Sequence, residues 1–263
     1  MNAESVARAI RAEVLRQSHR AHVGHIGSAL SIADIIAVLF TNVLPGTNGA
    51  ERDGLILSKG HAALALYAAL HLDGVLSDSQ LATYCSDGGL LGVHPEIGVP
   101  GIELSTGSLG QGLSVAAGRA LAWSLSGSTR RSYVVMSDAE LNEGSVWEAV
   151  MFAGHHHLDN LVAIVDCNGQ QALGCTRDVI DLGTAPEIAA KMRAFGWDAD
   201  VVDGHSCAAL DAALLASHHG RPRMIVAETD AGHGVSFMER QVAWHYLPMT
   251  DPQYEQAMLE VAG

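Results

Sequence analysis

Residues 133–168 read YVVMSDAELNEGSVWEAVMFAGHHHLDNLVAIVDCN. Two short apolar runs, Tyr133–Ser137 and Leu161–Asp166, stand on either side of a helical pattern at Gly144–His156. The runs are rich in Val and Ile and lack clean alternation, which is typical of strands that are covered on both faces. A strand, a helix and a second strand over this length predict a βαβ unit with two adjacent parallel strands.

The same alternation of strands and helices continues on both sides of this unit. Further strands are predicted at Asp198–Val202 and Met224–Glu228, and further helices at Glu4–Ser18, Ser31–Phe40, Ala62–Leu72, Leu109–Ser124, Ala185–Phe195 and Cys207–Ser217. This order favours a three-layer doubly wound α/β domain, with a central mostly parallel sheet and helices on both faces. We expect a single domain over residues 1–263, because no internal repeat or low-complexity linker divides the sequence.

The composition excludes several classes of function. The net charge of the 263 residues is −14 with histidines neutral, whereas a broad nucleic-acid interface would carry the opposite charge. Lys59 and Lys191 are the only lysines, so no polybasic patch for a membrane surface exists. The most apolar stretch, residues 32–44, is too short to span a bilayer. The four cysteines lack CxxC spacing, which favours a reducing cytoplasm over a disulfide framework or a zinc site.

Polar residues follow both strands of the βαβ unit. Asp138 comes after the first strand and Asn168 after the second. Parallel strands bring such positions to one edge of the sheet, where open α/β folds bind their ligands. A carboxylate and an amide oxygen suit Mg²⁺ or Ca²⁺ rather than zinc. The alternative is that Asp138 caps the next helix and Asn168 forms a turn.

The arrangement resembles the thiamine-diphosphate motif, in which Gly-Asp-Gly is followed by a spacer and then Asn. The resemblance implies that Asp138, Asn168 and the backbone carbonyl of Gln170 bind the metal ion. Both motif glycines are replaced here, by Ser137 and Ala139. The N–H of Ala139 is implied to face the diphosphate, which an alanine permits if its φ is negative.

The segment LNEGSVWEA, which follows the aspartate, is similar to the corresponding segment of transketolases. There the residue matching Glu143 helps to tie the cofactor-binding domain to the catalytic carboxylate of a partner domain. Glu143 is therefore implied to be both a catalytic and a cofactor-binding residue. The simpler alternative is that Glu143 lies at a helix N-terminus because the helix dipole favours an acidic residue there.

Three histidines lie in glycine-bearing loops: His25 in VGHIGSA, His61 in LSKGHAALALY and His94 in GVHPE. With STGSLGQGLS at 105–114, they fall in order onto the transketolase segments SGHPG, LSKGH, GHPE and TGPLGQG. The resemblance implies that His25 and His94 contact hydroxyl groups of the donor, and that His61 lies near the diphosphate and the reaction centre. Spacing alone leaves open that each is an ordinary loop or core histidine.

Two more segments contribute implied site residues. Gly107, Ser108 and Leu109 would line the aminopyrimidine and the diphosphate, with Ser108 in place of the usual proline. Residues 227–245, AETDAGHGVSFMERQVAWH, resemble the family segment TxKGxGVSFME…WH and add His245 as a catalytic residue. The lysines usual in that segment are absent.

The resemblance covers about residues 5–247 and implies one chain of a split transketolase-like enzyme. Such an enzyme uses thiamine diphosphate and Mg²⁺ (or Ca²⁺) to move a two-carbon ketol unit from a ketose or ketose phosphate. The acceptor would be an aldose, or a lipoyl or carrier-protein arm. The pyrimidine-binding and C-terminal domains are expected on a separate partner chain, in an α₂β₂ heterotetramer. Two alternatives stay open: the α subunit of a 2-oxo-acid dehydrogenase, and a catalytically degenerate chain that stabilises a partner.

Overall fold

The computed structural model describes residues 1–44, 52–216 and 220–262. Its strands are β1 (Gly54–Leu57), β2 (Ser132–Ser137), β3 (Leu161–Cys167), β4 (Gln170–Gln171), β5 (Gly174–Cys175), β6 (Asp198–Asp203) and β7 (Arg223–Glu228). Its α-helices are α1 (Ala3–Ala21), α2 (Ile26–Ser31), α3 (Ala33–Val38), α4 (Ala63–Leu72), α5 (Asp78–Leu81), α6 (Gln111–Leu125), α7 (Gly144–His155), α8 (Thr176–Val179), α9 (Ala185–Ala194), α10 (Cys207–Leu215) and α11 (Asp251–Ala262). Single 3₁₀ turns cover Gly60–Ala62, Asp138–Asn142 and Val242–His245, and a π-helical turn covers Leu39–Val43.

Five of the described strands form one sheet in the order β1-β2-β3-β7-β6. All four pairings in this sheet are parallel. Strands β4 and β5 form a separate antiparallel hairpin beyond the end of β3. The predicted mostly parallel central sheet is therefore confirmed.

Helices cover both faces of the sheet, which confirms the three-layer architecture. Tyr133 and Val135 of β2 belong to a core that also includes residues of α1, α3 and α4. Val134 and Met136 belong to a second core, formed with α6, α7 and α9. Because side chains on both sides of each strand are buried, the strands read as continuous apolar runs. Across the described ranges, no helix combines the length and apolarity needed to cross a membrane.

Most predicted elements are present with small shifts at their ends, and the structure also contains elements that were not predicted. The helix predicted at Ser31–Phe40 is present as α3 and the π-helical turn that follows it, but Ile32 takes the non-helical angles φ −100° and ψ 6° and separates Ser31, the end of α2, from α3. The elements without a prediction are the strands β1, β4 and β5 and the helices α2, α5, α8 and α11. The helix predicted to end at Ser217 ends at Leu215, and Ser217 lies outside the described residues.

Candidate active site

The carboxyl edge of the sheet carries Asp138 and Asn168 on neighbouring strands. Ser137, the last residue of β2, lies beside Asp166 of β3. Asp138 then opens a 3₁₀ turn, and Asn168 directly follows β3. The two side chains thus lie at the edge where open α/β sheets bind ligands.

Asp138 is a buried carboxylate with only 3% of its surface exposed. Its Oδ1 accepts from the Ala139 N–H at 2.9 Å, while Oδ2 accepts from the Gly169 N–H at 2.9 Å and from the Thr176 hydroxyl at 3.2 Å. Burial, and then the charge of Asp166, raises the pKa of Asp138 to about 7. A carboxylate offers about four lone-pair sites, so three hydrogen bonds leave room for one cation, which would stabilise the ionised form.

Asn168 is held so that its amide oxygen keeps a lone pair. Its Nδ2 donates to Asp166 Oδ2 at 2.9 Å and to the Ser31 hydroxyl at 3.3 Å. Its Oδ1 accepts from the Gln170 N–H at 2.9 Å. An amide oxygen has two lone pairs, so one is free for a metal ion.

This donor set fits a hard divalent cation and the diphosphate that would accompany it. Asp138 and Asn168 each keep one oxygen lone pair, and the resemblance implies the carbonyl of Gln170 as a third oxygen donor. Mg²⁺ takes its remaining ligands from phosphate and water. The N–H of Ala139 already donates to Asp138, so a diphosphate would share this donor with the carboxylate.

A cavity of about 320 Å³ opens beside these residues. It is lined by His25, Ser28, Lys59, His61, Gly107, Leu109, Ser137, Ala139, Asn168, Gln170, Gln171, Ala172, Leu173 and His245. Close packing of two loops forms one wall, because a Cβ at Gly60 would lie only 2.8 Å from the backbone of Thr106. Glycine is therefore required where the LSKGH segment meets the segment that begins at Thr106.

Three histidines from distant parts of the sequence meet at this cavity. The ring centroids of His25 and His61 are 5.7 Å apart, those of His25 and His245 are 5.0 Å apart, and those of His61 and His245 are 5.2 Å apart. Burial is the main reason that the pKa of each is lowered: His61 well below its usual value, and His245 to about 4. The rings are consequently neutral near pH 7 and can exchange protons with hydroxyl groups.

The lowered pKa of His245 predicts a loss of stability in mild acid. An unfolded histidine titrates near pH 6.5, so between about pH 6.5 and 4 the unfolded chain binds more protons than the folded one. The free energy of unfolding should therefore fall as the pH drops through this window. His245→Gln should reduce that slope, measured by urea denaturation at several pH values. His155→Gln, at an exposed position on α7, is the control, and equal slopes in all three proteins would contradict the prediction.

The other implied site residues lie around the cavity rather than in its wall. His94 is exposed, and its ring packs on Gly107, where a Cβ would lie 3.0 Å from the imidazole. Ser108 is exposed and does not line the cavity, whereas its neighbours Gly107 and Leu109 do. Glu143 is exposed at the N-cap of α7, where a second chain could contact it.

A buried ion pair between Lys59, in the cavity wall, and Asp166 was not recognised in the sequence. Lys59 Nζ donates to Asp166 Oδ2, and both side chains are 0% exposed. Asp166 also accepts from the hydroxyls of Ser31 and Thr229 and orients Asn168. The one sequence signal was the position of Asp166, two residues before Asn168 at the end of a strand.

Glu140 is a second residue that sequence reasoning missed. It is fully buried, and burial raises the pKa of its carboxyl. Its Oε1 accepts from the Ser58 hydroxyl and from the Gly110 N–H at 2.9 Å, and its Oε2 accepts from the Ser137 N–H at 2.9 Å. Glu140 therefore joins the three loops that line the cavity.

A separate cluster of Asp34, His205 and His233 has the residue types of a metal site but is already hydrogen-bonded. His205 Nε2 accepts from the Asp230 N–H at 2.8 Å, so the proton of this ring lies on Nδ1. Nδ1 is 2.9 Å from Asp34 Oδ2 and donates to it. Both ring nitrogens of His205 are thus hydrogen-bonded. Through the Asp230 N–H, His205 holds the loop that also contains His233.

Comparison with known families identifies the class of protein. The family model for the thiamine-diphosphate-binding domain of transketolase matches residues 2–260. The chain therefore belongs to the transketolase family, and the matched part is its thiamine-diphosphate-binding domain. The residues that carried the resemblance lie within this match.

Among the similar proteins are subunits of transketolases that act on named sugars. A 6-deoxy-6-sulfo-D-fructose transketolase subunit of Clostridium sp. (strain MSTE9) is 38% identical, over 97% of this chain and 94% of that protein. One of the subunits of the apulose-4-phosphate transketolase of Phocaeicola vulgatus is 36% identical, over 93% of this chain and 88% of that protein. Such relatives favour a transketolase over the α subunit of a 2-oxo-acid dehydrogenase.

The chain spans about two fifths of the length of full-length transketolases. Human transketolase is 35% identical over 98% of this chain but only 42% of its own length. The structure of transketolase from Leishmania mexicana superimposes with a TM-score of 0.89 and 29% identity, over 100% of this chain and 41% of that one. The fold described above is thus the fold of one part of a transketolase.

Proposed function

We propose that this chain is the cofactor-binding subunit of an enzyme that transfers a two-carbon ketol unit from a ketose donor to an aldose acceptor. The observation that carries the proposal is that one cavity is lined by Asn168 and Gln170 and also by three histidines whose ring centroids lie 5.0–5.7 Å apart. The first group suits a metal–diphosphate, and the second suits a polyhydroxylated substrate. A cytoplasmic location and Mg²⁺ as the metal are parts of the same proposal.

In this proposal, some residues of the chain bind the cofactor and others transfer protons. Asp138, Asn168 and the Gln170 carbonyl would hold the metal, and Ala139 would offer its N–H to the diphosphate. When bound, thiamine diphosphate supplies the electron sink that allows the C2–C3 bond of a ketose to break. His25, His61 and His245 would orient the substrate hydroxyls and accept or donate their protons, with His94 at the rim. Leu109 and Gly107 would exclude water from the site.

A partner chain is part of the proposal because no carboxylate occurs among the described residues that line the cavity. Activation of the aminopyrimidine requires an acidic side chain, which a pyrimidine-binding domain on the partner would provide. Leu173, which lines the cavity, is 81% exposed, and Leu247, two residues after the cavity residue His245, is 52% exposed. Exposed apolar groups around a site favour coverage by another protein surface. An α₂β₂ assembly, with Glu143 facing the partner, is the proposed form.

The donor class follows from the relatives together with the charge of this chain. The named substrates of the two relatives are a sulfo-sugar and a sugar phosphate. In the described part of this chain, Lys59 is the only cationic lysine or arginine in the cavity wall, and it is paired with Asp166. We therefore assign recognition of an anionic sugar end to the partner chain. A lipoyl or carrier-protein arm is the second acceptor class.

The test is reconstitution with a partner chain that carries a pyrimidine-binding domain. The pair would be supplied with thiamine diphosphate and Mg²⁺, then with a ketose phosphate plus an aldose phosphate, or with pyruvate. We expect two products, and only when the cofactor is present. The acceptor aldose becomes a ketose that is two carbons longer, and the donor ketose becomes an aldose that is two carbons shorter. Turnover of pyruvate without ketose cleavage would indicate the dehydrogenase class instead. Failure to bind thiamine diphosphate saturably would indicate a degenerate, partner-stabilising chain.

A further inference from the structure

The β4–β5 hairpin forms one wall of the cavity and has little packing of its own. Two glycines flank its strands, Gly169 with φ +70° and Gly174 with φ +136°, and the space where their Cβ atoms would lie is open. Leu173, at the turn, is 81% exposed. Gln170, Gln171, Ala172 and Leu173 all line the cavity. The N–H groups of Gly169 and Gln170 hold the start of the hairpin by hydrogen bonds to Asp138 and Asn168, so its turn is the part that needs an outside contact to keep a fixed position.

Tyr246 provides such a contact from the segment after the 3₁₀ turn Val242–His245, a turn that itself neighbours β4. Its hydroxyl donates to the backbone carbonyl of Ala172. The hydroxyl therefore joins the hairpin to the segment that directly follows His245. Tyr246 itself is 55% exposed, so the bond lies near the cavity mouth rather than in the core.

The backbone that carries Tyr246 is firmly held. The His25 N–H donates to the His245 carbonyl at 3.3 Å. A Cβ at Gly24 would lie 2.3 Å from the carbonyl oxygen of Tyr246, so the two backbones are in close contact. The tyrosine is thus a rigid support, and the hairpin is the part whose position depends on it.

We propose that Tyr246 is a positioning residue that holds the hairpin in its place in the cavity wall and, with it, the carbonyl of Gln170. The inference rests on the proposed function, because Gln170 is the third metal donor of that proposal. By tying the hairpin to the His25–His245 wall, the phenol sets the width of the cavity and slows escape of the metal–diphosphate. Loss of the hydroxyl alone should leave the ring and the fold in place.

The experiment compares Tyr246→Phe with Tyr254→Phe. Tyr254 lies on α11, and its ring stacks on His19 with centroids 4.2 Å apart, so its variant loses the same atom elsewhere. Amide hydrogen exchange of residues 169–175 would be measured in the chain without cofactor. The rate of release of thiamine diphosphate and Mg²⁺ would be measured in the complex with the partner chain.

For Tyr246→Phe, we expect faster exchange in residues 169–175 and a cofactor release rate about 3- to 10-fold higher, the range that one lost hydrogen bond allows. Tyr254→Phe should match the wild type in both measurements. Wild-type exchange and release rates in Tyr246→Phe would overturn the inference. A wild-type complex that binds no thiamine diphosphate would overturn the proposed function instead, and the exchange measurement would still decide whether Tyr246 holds the hairpin.

Discussion

Asp138→Asn is expected to weaken the binding of Mg²⁺ and thiamine diphosphate by at least about 100-fold, since even the partners of metal ligands contribute 10- to 100-fold to affinity. The variant keeps the size of the side chain and one oxygen that can accept from Gly169 and Thr176. It removes the negative charge that a divalent cation requires. The fold should therefore persist while cofactor binding is lost.

The measurement is calorimetric titration of thiamine diphosphate and Mg²⁺ into the complex with the partner chain, together with thermal unfolding of the free chain. Asp87→Asn is the matched control, because Asp87 is an exposed acid in the segment after α5 and lies outside the cavities that Asp138 and Asn168 line. We expect the control to bind normally. Undiminished affinity in Asp138→Asn would show that Asp138 is not a metal ligand and would leave only its hydrogen bonds to Ala139, Gly169 and Thr176.

The central layers of the fold could be predicted from the sequence because their signals are local. Strands β2 and β3 are apolar runs bounded by polar residues, and α7 between them has a clear start at Gly144. Strand β1 has only four residues, Gly54–Leu57, and a run this short has no period to recognise. The break at Ile32 was invisible because apolar residues continue through it, although the backbone angles change there.

The candidate site could be predicted only where a motif marked it. Asp138 and Asn168 follow strands, and the glycine beside each of His25 and His61 drew attention to those loops. The tertiary fold brings His25, His61 and His245 to one cavity, although His25 and His245 are 220 residues apart in the sequence. No local pattern contains this information. His94 and Ser108 lie outside the cavity wall for the same reason, since their motifs specify a loop and not which residue of the loop faces inward.

The supports of the site were the hardest residues to foresee. Glu140 reads as an ordinary acid at a helix start, yet it accepts from Ser58 and Gly110, which are far away in the sequence. Asp166 reads as a strand-end carboxylate, and Lys59 as part of a loop motif. Each has a simple local explanation, and only the contact across the fold reveals its function.

Lys59→Met is expected to destabilise the protein by about 3–5 kcal/mol, because removal of one partner leaves a buried charge without compensation. Lys59 and Asp166 are both 0% exposed, so water cannot solvate the remaining carboxylate. Asp166 would still accept from Ser31 and Thr229, but its charge would have no cation beside it. The measurement is the free energy of unfolding from urea denaturation.

Lys191→Met is the matched control, since Lys191 is the only other lysine in the sequence and is exposed on α9. It should change stability by less than about 0.5 kcal/mol. The double variant Lys59→Met/Asp166→Asn should be more stable than Lys59→Met alone, because it removes the uncompensated charge as well. It should nevertheless bind cofactor less tightly than the wild type, since Asn168 loses the carboxylate that orients its amide. If Lys59→Met were as stable as Lys191→Met, the ion pair between Lys59 and Asp166 would contribute nothing to folding.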